Sequence, residues 1–197
     1  MNLPNKLTLF RIILVPIAVL VWLFPYGYFS ISLPVYQFGD VSLSLLNIIV
    51  LVIFAVASFT DFLDGQIARK KGLVTTFGKF ADPIADKLLV NTMLLILVVK
   101  RMIPVVPVFL MLSRDTIVDG CRMLASRNGV VIAAGIFGKL KTVLQMFGII
   151  FVLLNNLPFE LWNIPVADAL IWFASFVSVI SGYSYFMQVR EFVFESM

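Results

Sequence analysis

The sequence predicts an all-α integral membrane protein, a single domain over residues 1–197 with six transmembrane helices and both termini cytoplasmic. Composition is the first reason. Of 197 residues, 61% are hydrophobic and 13% are charged, and the mean hydropathy is +1.03. Soluble domains are about 45–50% apolar and about 25% charged. A soluble helical protein of this makeup would lack the polar residues to cover its surface. The second reason is the recurrence of apolar runs of near-spanning length. The third is the uneven distribution of basic residues between the two ends of those runs.

The first run, from about Leu7 to Phe24, is long enough to cross the hydrocarbon core at roughly 1.5 Å per residue. Pro16 is expected to kink it. A basic start leads into this run, but no small-residue cleavage site is evident, so it is read as a retained helix. Pro25–Asp40 reads as a loop whose rings (Tyr26, Tyr28, Phe29, Tyr36, Phe38) suit interfacial anchoring. The second span covers about Ser42–Thr60 and continues as helix into an acidic stretch. The third begins near Gly78, ends near Val99 and is closed by Lys100-Arg101. The fourth covers about Ile103–Leu124, with Pro104 and Pro107 in its first turns, and Asn128-Gly129 signals a turn. Val130–Gly138 is apolar but too short to span, and reads as an interfacial or re-entrant connection. The fifth span runs about Leu140–Leu154. A loop, Asn155–Pro165, follows with Trp162 at an interface, and the sixth span covers about Val166–Met187.

Six spans return the chain to its starting side. That side collects Lys6, Arg11, Arg69, Lys70, Lys71, Lys79, Lys87, Arg114, Arg122, Arg127, Lys139, Lys141 and Arg190, against only Lys100 and Arg101 opposite. Because positive loops stay inside, both termini are expected in the cytoplasm of a cell-membrane protein. The net charge of +4 suits work beside anionic lipid. Cys121 is the only cysteine, which excludes an intrachain disulfide, and it reads as a packing residue. Histidine is absent, which excludes a histidine base or metal ligand.

Between the second and third spans lies Asp61–Lys87, DFLDGQIARKKGLVTTFGKFADPIADK. Asp61 and Asp64 are three apart and Asp82 and Asp86 four apart, so each pair shares a helical face. Gly78 lies one turn before Asp82 on that face. Acids in or beside membrane helices are costly, which makes a functional site the default reading. Carboxylates converging from two helices suit hard divalent cations. A metal-free salt-bridge network with Arg69, Lys70, Lys71, Lys79 and Lys87 is the bland alternative.

A second polar set lies in or near the fourth and fifth spans: Ser113, Arg114, Asp115, Asp119, Arg122, Arg127, Lys139 and Lys141. Arg114, Arg122, Lys139 and Lys141 could form a basic cup for a phosphorylated acceptor. Arg127 and Arg190 read as ordinary flanking charge.

The spacing Asp61-x2-Asp64-Gly65-x2-Ala68-Arg69-x8-Gly78-x3-Asp82-x3-Asp86 resembles the signature of the CDP-alcohol phosphotransferases at every fixed position. That resemblance implies the family's membrane fold and a two-metal transfer from a CDP-linked donor onto an alcohol, releasing CMP. It implies two divalent ions, Mg²⁺ or Mn²⁺, held by Asp61, Asp64, Asp82 and Asp86, with Asp82 shared and Asp86 also the catalytic base. It implies that Gly65, Ala68, Arg69 and Gly78 line the CMP part of the donor, and that the protein is a homodimer. It also brings Asn5, Thr8 and Arg11 near the nucleotide, although a helix cap and a flanking charge explain them as well.

The stretches MNLPNKLTLFRIILVP, SRDTIVDGCR and GVVIAAGIFGKLKT are similar to the family branch that pairs CDP-diacylglycerol with sn-glycerol 3-phosphate. Asp115 stands where that branch usually has Glu, and Asp119-Gly120-Cys121-Arg122 where it has a Thr-Gly-Leu-Arg-like stretch. Serine or inositol phosphate are the alternative acceptors. Two other classes, an ion transporter or channel and a non-catalytic lipid-binding scaffold, predict no CMP release. Nothing in the sequence points to nucleic acid.

Overall fold

The computed structural model describes residues 2–70, 72, 75–133 and 135–194, with no side chain described for Arg69, Lys79 or Phe194. The chain divides into two compact units. One comprises Met1–Ile96 with Leu153–Ile164, the other Leu97–Val152 with Pro165–Met197.

Six long helices dominate the described residues: α1 (Leu3–Leu23), α2 (Leu45–Lys70), α3 (Thr76–Val99), α4 (Val105–Arg127), α5 (Ile136–Leu153) and α6 (Val166–Phe194). Among the described residues, four helical stretches are long and apolar enough to cross a membrane: Leu3–Leu23, Leu45–Ala68, Ile136–Leu153 and Val166–Val193. α3 and α4 are of similar length, but both acids and bases interrupt them. Large apolar side chains such as Leu20, Phe80, Phe109 and Phe176 are exposed along the helices. A surface of that kind suits contact with lipid, and with these long apolar helices the protein is a helical membrane protein.

In the first unit, α1 packs along α2. α1 starts earlier than its apolar run because Asn2 caps it: the Asn2 side chain accepts a hydrogen bond from Asn5 N at 3.1 Å, and Pro4 occupies the first turn. The core of this unit includes Val15, Ala18 and Trp22 of α1 and Val50, Phe54 and Ala57 of α2. α2 runs unbroken for 26 residues, so Asp61 and Asp64 lie on its last turns. Thr75 caps α3 by accepting from Gly78 N at 3.0 Å.

The segment expected to be a loop before the second span contains a hairpin. β1 (Val35–Phe38) pairs antiparallel with β2 (Val41–Ser44), with Phe38 opposite Val41. Its two-residue turn puts Gly39 at φ +62°, a conformation glycine adopts without steric cost. The loop after α5 contains a short 3₁₀ turn, Phe159–Trp162. Asn155 Nδ2 donates to Ser42 O at 2.5 Å, tying that loop to β2.

In the second unit, α4 packs against α6. Cys121 and Ala125 of α4 meet Val189 of α6 in one core cluster, so the lone cysteine is a packing residue as expected. α4 ends where Asn128-Gly129 predicted a turn. Gly129 sits at φ +72°, Gly129 N donates to Ser126 O and Val130 N to Ala125 O, which closes the helix end. α5 begins at Ile136, so only part of Val130–Gly138 is an irregular connection.

Candidate active site

The acidic motif gathers in the first unit, around a side chain that composition alone disguised. Arg11 projects from α1 and is fully buried. Its Nη1 lies 2.8 Å from Asp61 Oδ1, and its Nη2 lies 2.6 Å from Asp64 Oδ2. Nη1 also pairs with Asp86 Oδ1. Three of the four motif carboxylates therefore converge on one guanidinium, whose planar fork suits several oxygens at once. Arg11 Nε is buried without a hydrogen-bond partner among the described residues. The fourth acid, Asp82, accepts a hydrogen bond from Thr8 Oγ1 at 2.7 Å, one turn before Arg11 on α1.

Solvent access differs among these acids. The Asp64 side chain is 3% exposed, against 43% for Asp61 and 47% for Asp86. Asp64 is the structural anchor of the cluster, while Asp86 is open to an incoming group.

Asn5 and Thr8 are buried beside the start of α3. Thr75 Oγ1 donates to Asn5 Oδ1 at 2.9 Å. Gly78 makes this approach possible: a β-carbon there would lie 3.3 Å from both Asn5 Oδ1 and Thr75 Oγ1, and 3.6 Å from Asp82 Oδ2. Gly65 and Ala68 are half-buried on α2. The expected roles of the Arg69 and Lys79 side chains, and of Lys71, fall outside the described residues.

The side-chain oxygens of this acid cluster are all carboxylate oxygens, the donor type that hard divalent cations take. As they stand, no three acidic side chains among the described residues are arranged to hold an ion. Arg11 supplies the positive charge at the position where three of them meet.

The second polar set lies in the second unit. Arg114 and Lys141 both bind Asp115. Lys141 Nζ donates to its two oxygens at 2.8 and 2.7 Å, and Arg114 Nη1 donates to Oδ1 at 3.0 Å. Lys141 is buried, so this pairing compensates its charge. Arg114 Nη2 also donates to Ser181 Oγ on α6. Arg122 Nη2 donates to Tyr185 Oη at 2.9 Å. Lys139, in the first turn of α5, is exposed. The basic set is thus partly self-neutralised: Asp115 holds Arg114 and Lys141, Arg122 is bonded to Tyr185, and Lys139 is exposed.

From the sequence alone, Arg11 fits a flanking charge and a site residue equally well. The signal that favours a site residue is an isolated cation inside an apolar run. Ser181 and Tyr185, one turn apart on an apolar helix, gave a fainter signal of the same kind.

A profile of the CDP-alcohol phosphatidyltransferase family matches residues 1–180. The CDP-diacylglycerol–glycerol-3-phosphate 3-phosphatidyltransferase of Bacillus subtilis (strain 168) is 44% identical over 190 residues, covering 96% of each chain. Proteins of the same name from Rickettsia bellii (strain RML369-C) and Rickettsia typhi (strain ATCC VR-144 / Wilmington) are 36% and 35% identical over 192 residues. Those matches cover 97% of this chain, and 97% and 98% of the two relatives. The motif aspartates gathered on Arg11 lie within the matched residues, and the chain belongs to the CDP-alcohol phosphatidyltransferase family.

Proposed function

We propose that the chain transfers the phosphatidyl group of CDP-diacylglycerol to sn-glycerol 3-phosphate, giving phosphatidylglycerophosphate and CMP, a step of anionic phospholipid biosynthesis. The near-full-length likeness to relatives named for this reaction supports the substrates. The observation that carries the chemistry is the convergence of Asp61, Asp64 and Asp86 on the buried Arg11, with Asp82 tied to the same helix through Thr8.

The 1-hydroxyl of the acceptor attacks the β-phosphorus, forming a new P–O bond as the bond to CMP breaks. Asp86, half open to solvent, takes the hydroxyl proton. Asp61, Asp64, Asp82 and Asp86 would hold two divalent ions, Mg²⁺ or Mn²⁺, as the family generally does. When bound, the ions supply charge neutralisation along the diphosphate and on the leaving CMP. Arg11 keeps the carboxylates together when no such ion does. Asn5, Thr8, Gly65, Ala68, Arg69 and Gly78 line the CMP moiety, with Gly78 leaving room at the helix start. Arg114, Arg122, Lys139 and Lys141 receive the acceptor phosphate, and Asp115 fixes Arg114 and Lys141 in place.

The topology that serves this chemistry has six spans, both termini in the cytoplasm and the acids at the cytoplasmic face of the cell membrane. Water-soluble acceptor then reaches them from one side and lipid donor from the bilayer. The chain is read as a single domain over residues 1–197, which a family match over residues 1–180 supports. The working form is a homodimer.

A panel of acceptors tests the assignment. Purified protein with CDP-diacylglycerol and Mg²⁺ is expected to release CMP with sn-glycerol 3-phosphate, and not with serine, inositol or inositol phosphate. Release with a different acceptor alone would move the function to a sister reaction. Release with none of them would favour a scaffold.

A further inference from the structure

We propose that Tyr185 is a positioning residue that gathers Arg114 and Arg122 for the phosphate of the acceptor. This rests on assigning those two arginines to that phosphate. They are eight residues apart on α4, which separates their α-carbons by roughly 12 Å along the helix. Yet both guanidinium carbons lie against one ring: Arg114 Cζ is 5.5 Å and Arg122 Cζ 5.2 Å from the Tyr185 centroid. Two like charges near each other repel. An aromatic face beside both offsets part of that cost through its quadrupole.

The phenol adds direction. Tyr185 is buried, and its hydroxyl accepts from Arg122 Nη2 at 2.9 Å and from Gly135 N at 3.2 Å. It donates to Ala133 O at 3.4 Å. The ring therefore joins α4 to the segment that leads into α5, which carries Lys139 and Lys141. Arg122 is otherwise exposed, so this hydrogen bond removes rotamer freedom that phosphate binding would have to remove later.

The neighbours of Arg114 complete its seat. Ser181, one turn before Tyr185, accepts from Arg114 Nη2. A β-carbon at Gly182 would lie 3.0 Å from Arg114 Cγ. One at Gly138 would lie 3.4 Å from Arg114 Nη2 and 3.8 Å from Tyr185 Oη. Small residues on two elements thus leave a slot that directs the Arg114 side chain towards the ring.

The test compares Tyr185→Phe, which keeps the ring, with Tyr185→Leu, which removes ring and hydroxyl. Arg114→Gln and Arg122→Gln are measured alongside. The KM for sn-glycerol 3-phosphate is expected to rise about threefold for Tyr185→Phe and about tenfold or more for Tyr185→Leu. The kcat and the KM for CDP-diacylglycerol are expected to stay within about twofold. In an Arg122→Gln background, Tyr185→Phe is expected to add little, because its main partner is gone. If the arginine variants raise that KM and neither tyrosine variant does, the positioning role is wrong. A uniform fall in kcat with lost thermal stability in both tyrosine variants would mean a merely structural ring and also overturn it. If the arginine variants leave the KM unchanged, the acceptor-phosphate assignment itself falls, and this inference with it.

Discussion

Replacing Asp86 by asparagine is expected to lower the rate of CMP release by roughly 10²–10⁴-fold, the range for loss of a positioned general base. The amide keeps the shape of the side chain but cannot take the acceptor proton. It also removes one negative charge from a cluster whose chemistry depends on carboxylate oxygens. At 47% exposure the Asp86 side chain is open to an acceptor, as Asp61 is at 43%, whereas Asp64 is closed at 3%; the family motif then assigns the base to Asp86. The measurement is turnover of purified, folded protein at saturating donor and acceptor. Near-normal turnover by Asp86→Asn would remove Asp86 from the role of base.

Replacing Arg11 by methionine is expected to destabilise the metal-free protein by about 3–5 kcal/mol, the usual consequence of leaving a buried charge without its partner. Methionine retains much of the apolar stem, so packing along α1 is largely conserved. What is lost is the cation shared by Asp61, Asp64 and Asp86. Most of the effect is assigned to Asp64, since water screens the other two acids. Chemical unfolding of the wild type and Arg11→Met in detergent, with and without Mg²⁺, measures it. Added Mg²⁺ is expected to narrow the gap, because a divalent ion replaces the missing positive charge. Equal stability of the two proteins without metal would show that the acids do not depend on Arg11.

Much of the helical architecture was legible in the sequence because long apolar runs admit few other structures. The second helix was expected to continue past its apolar part, and α2 does so as far as Lys70. The Asn128-Gly129 turn was legible for the same kind of local reason, since only the chain nearby determines it. The hairpin at Val35–Ser44 was not. Its aromatic residues also suit an interfacial loop, and each strand is only four residues long. The early start of α1 is encoded in Asn2 and Pro4, outside the apolar run that marks the rest of the helix.

At the site, spacing identified Asp61, Asp64, Asp82 and Asp86 because pairs on one helical face depend only on period. Arg11, the partner shared by Asp61, Asp64 and Asp86, was harder to find, since it comes from a helix fifty or more residues earlier in the chain. The same holds for Asp115 and Lys141, which are 26 residues apart and bind through both carboxylate oxygens. No periodicity encodes such a meeting. The sequence sets Asp115 beside Arg114 on one helix, while its bond to Lys141 of α5 is visible only in the fold.

The most direct measurement is CMP release from purified protein with CDP-diacylglycerol and sn-glycerol 3-phosphate, before and after chelation of divalent ions. The expected result is release with Mg²⁺, loss of release after chelation, and recovery when Mg²⁺ or Mn²⁺ is restored. Undiminished release from protein verified to be free of divalent metal would contradict a metal-holding role for the four aspartates and return them to a salt-bridge network around Arg11.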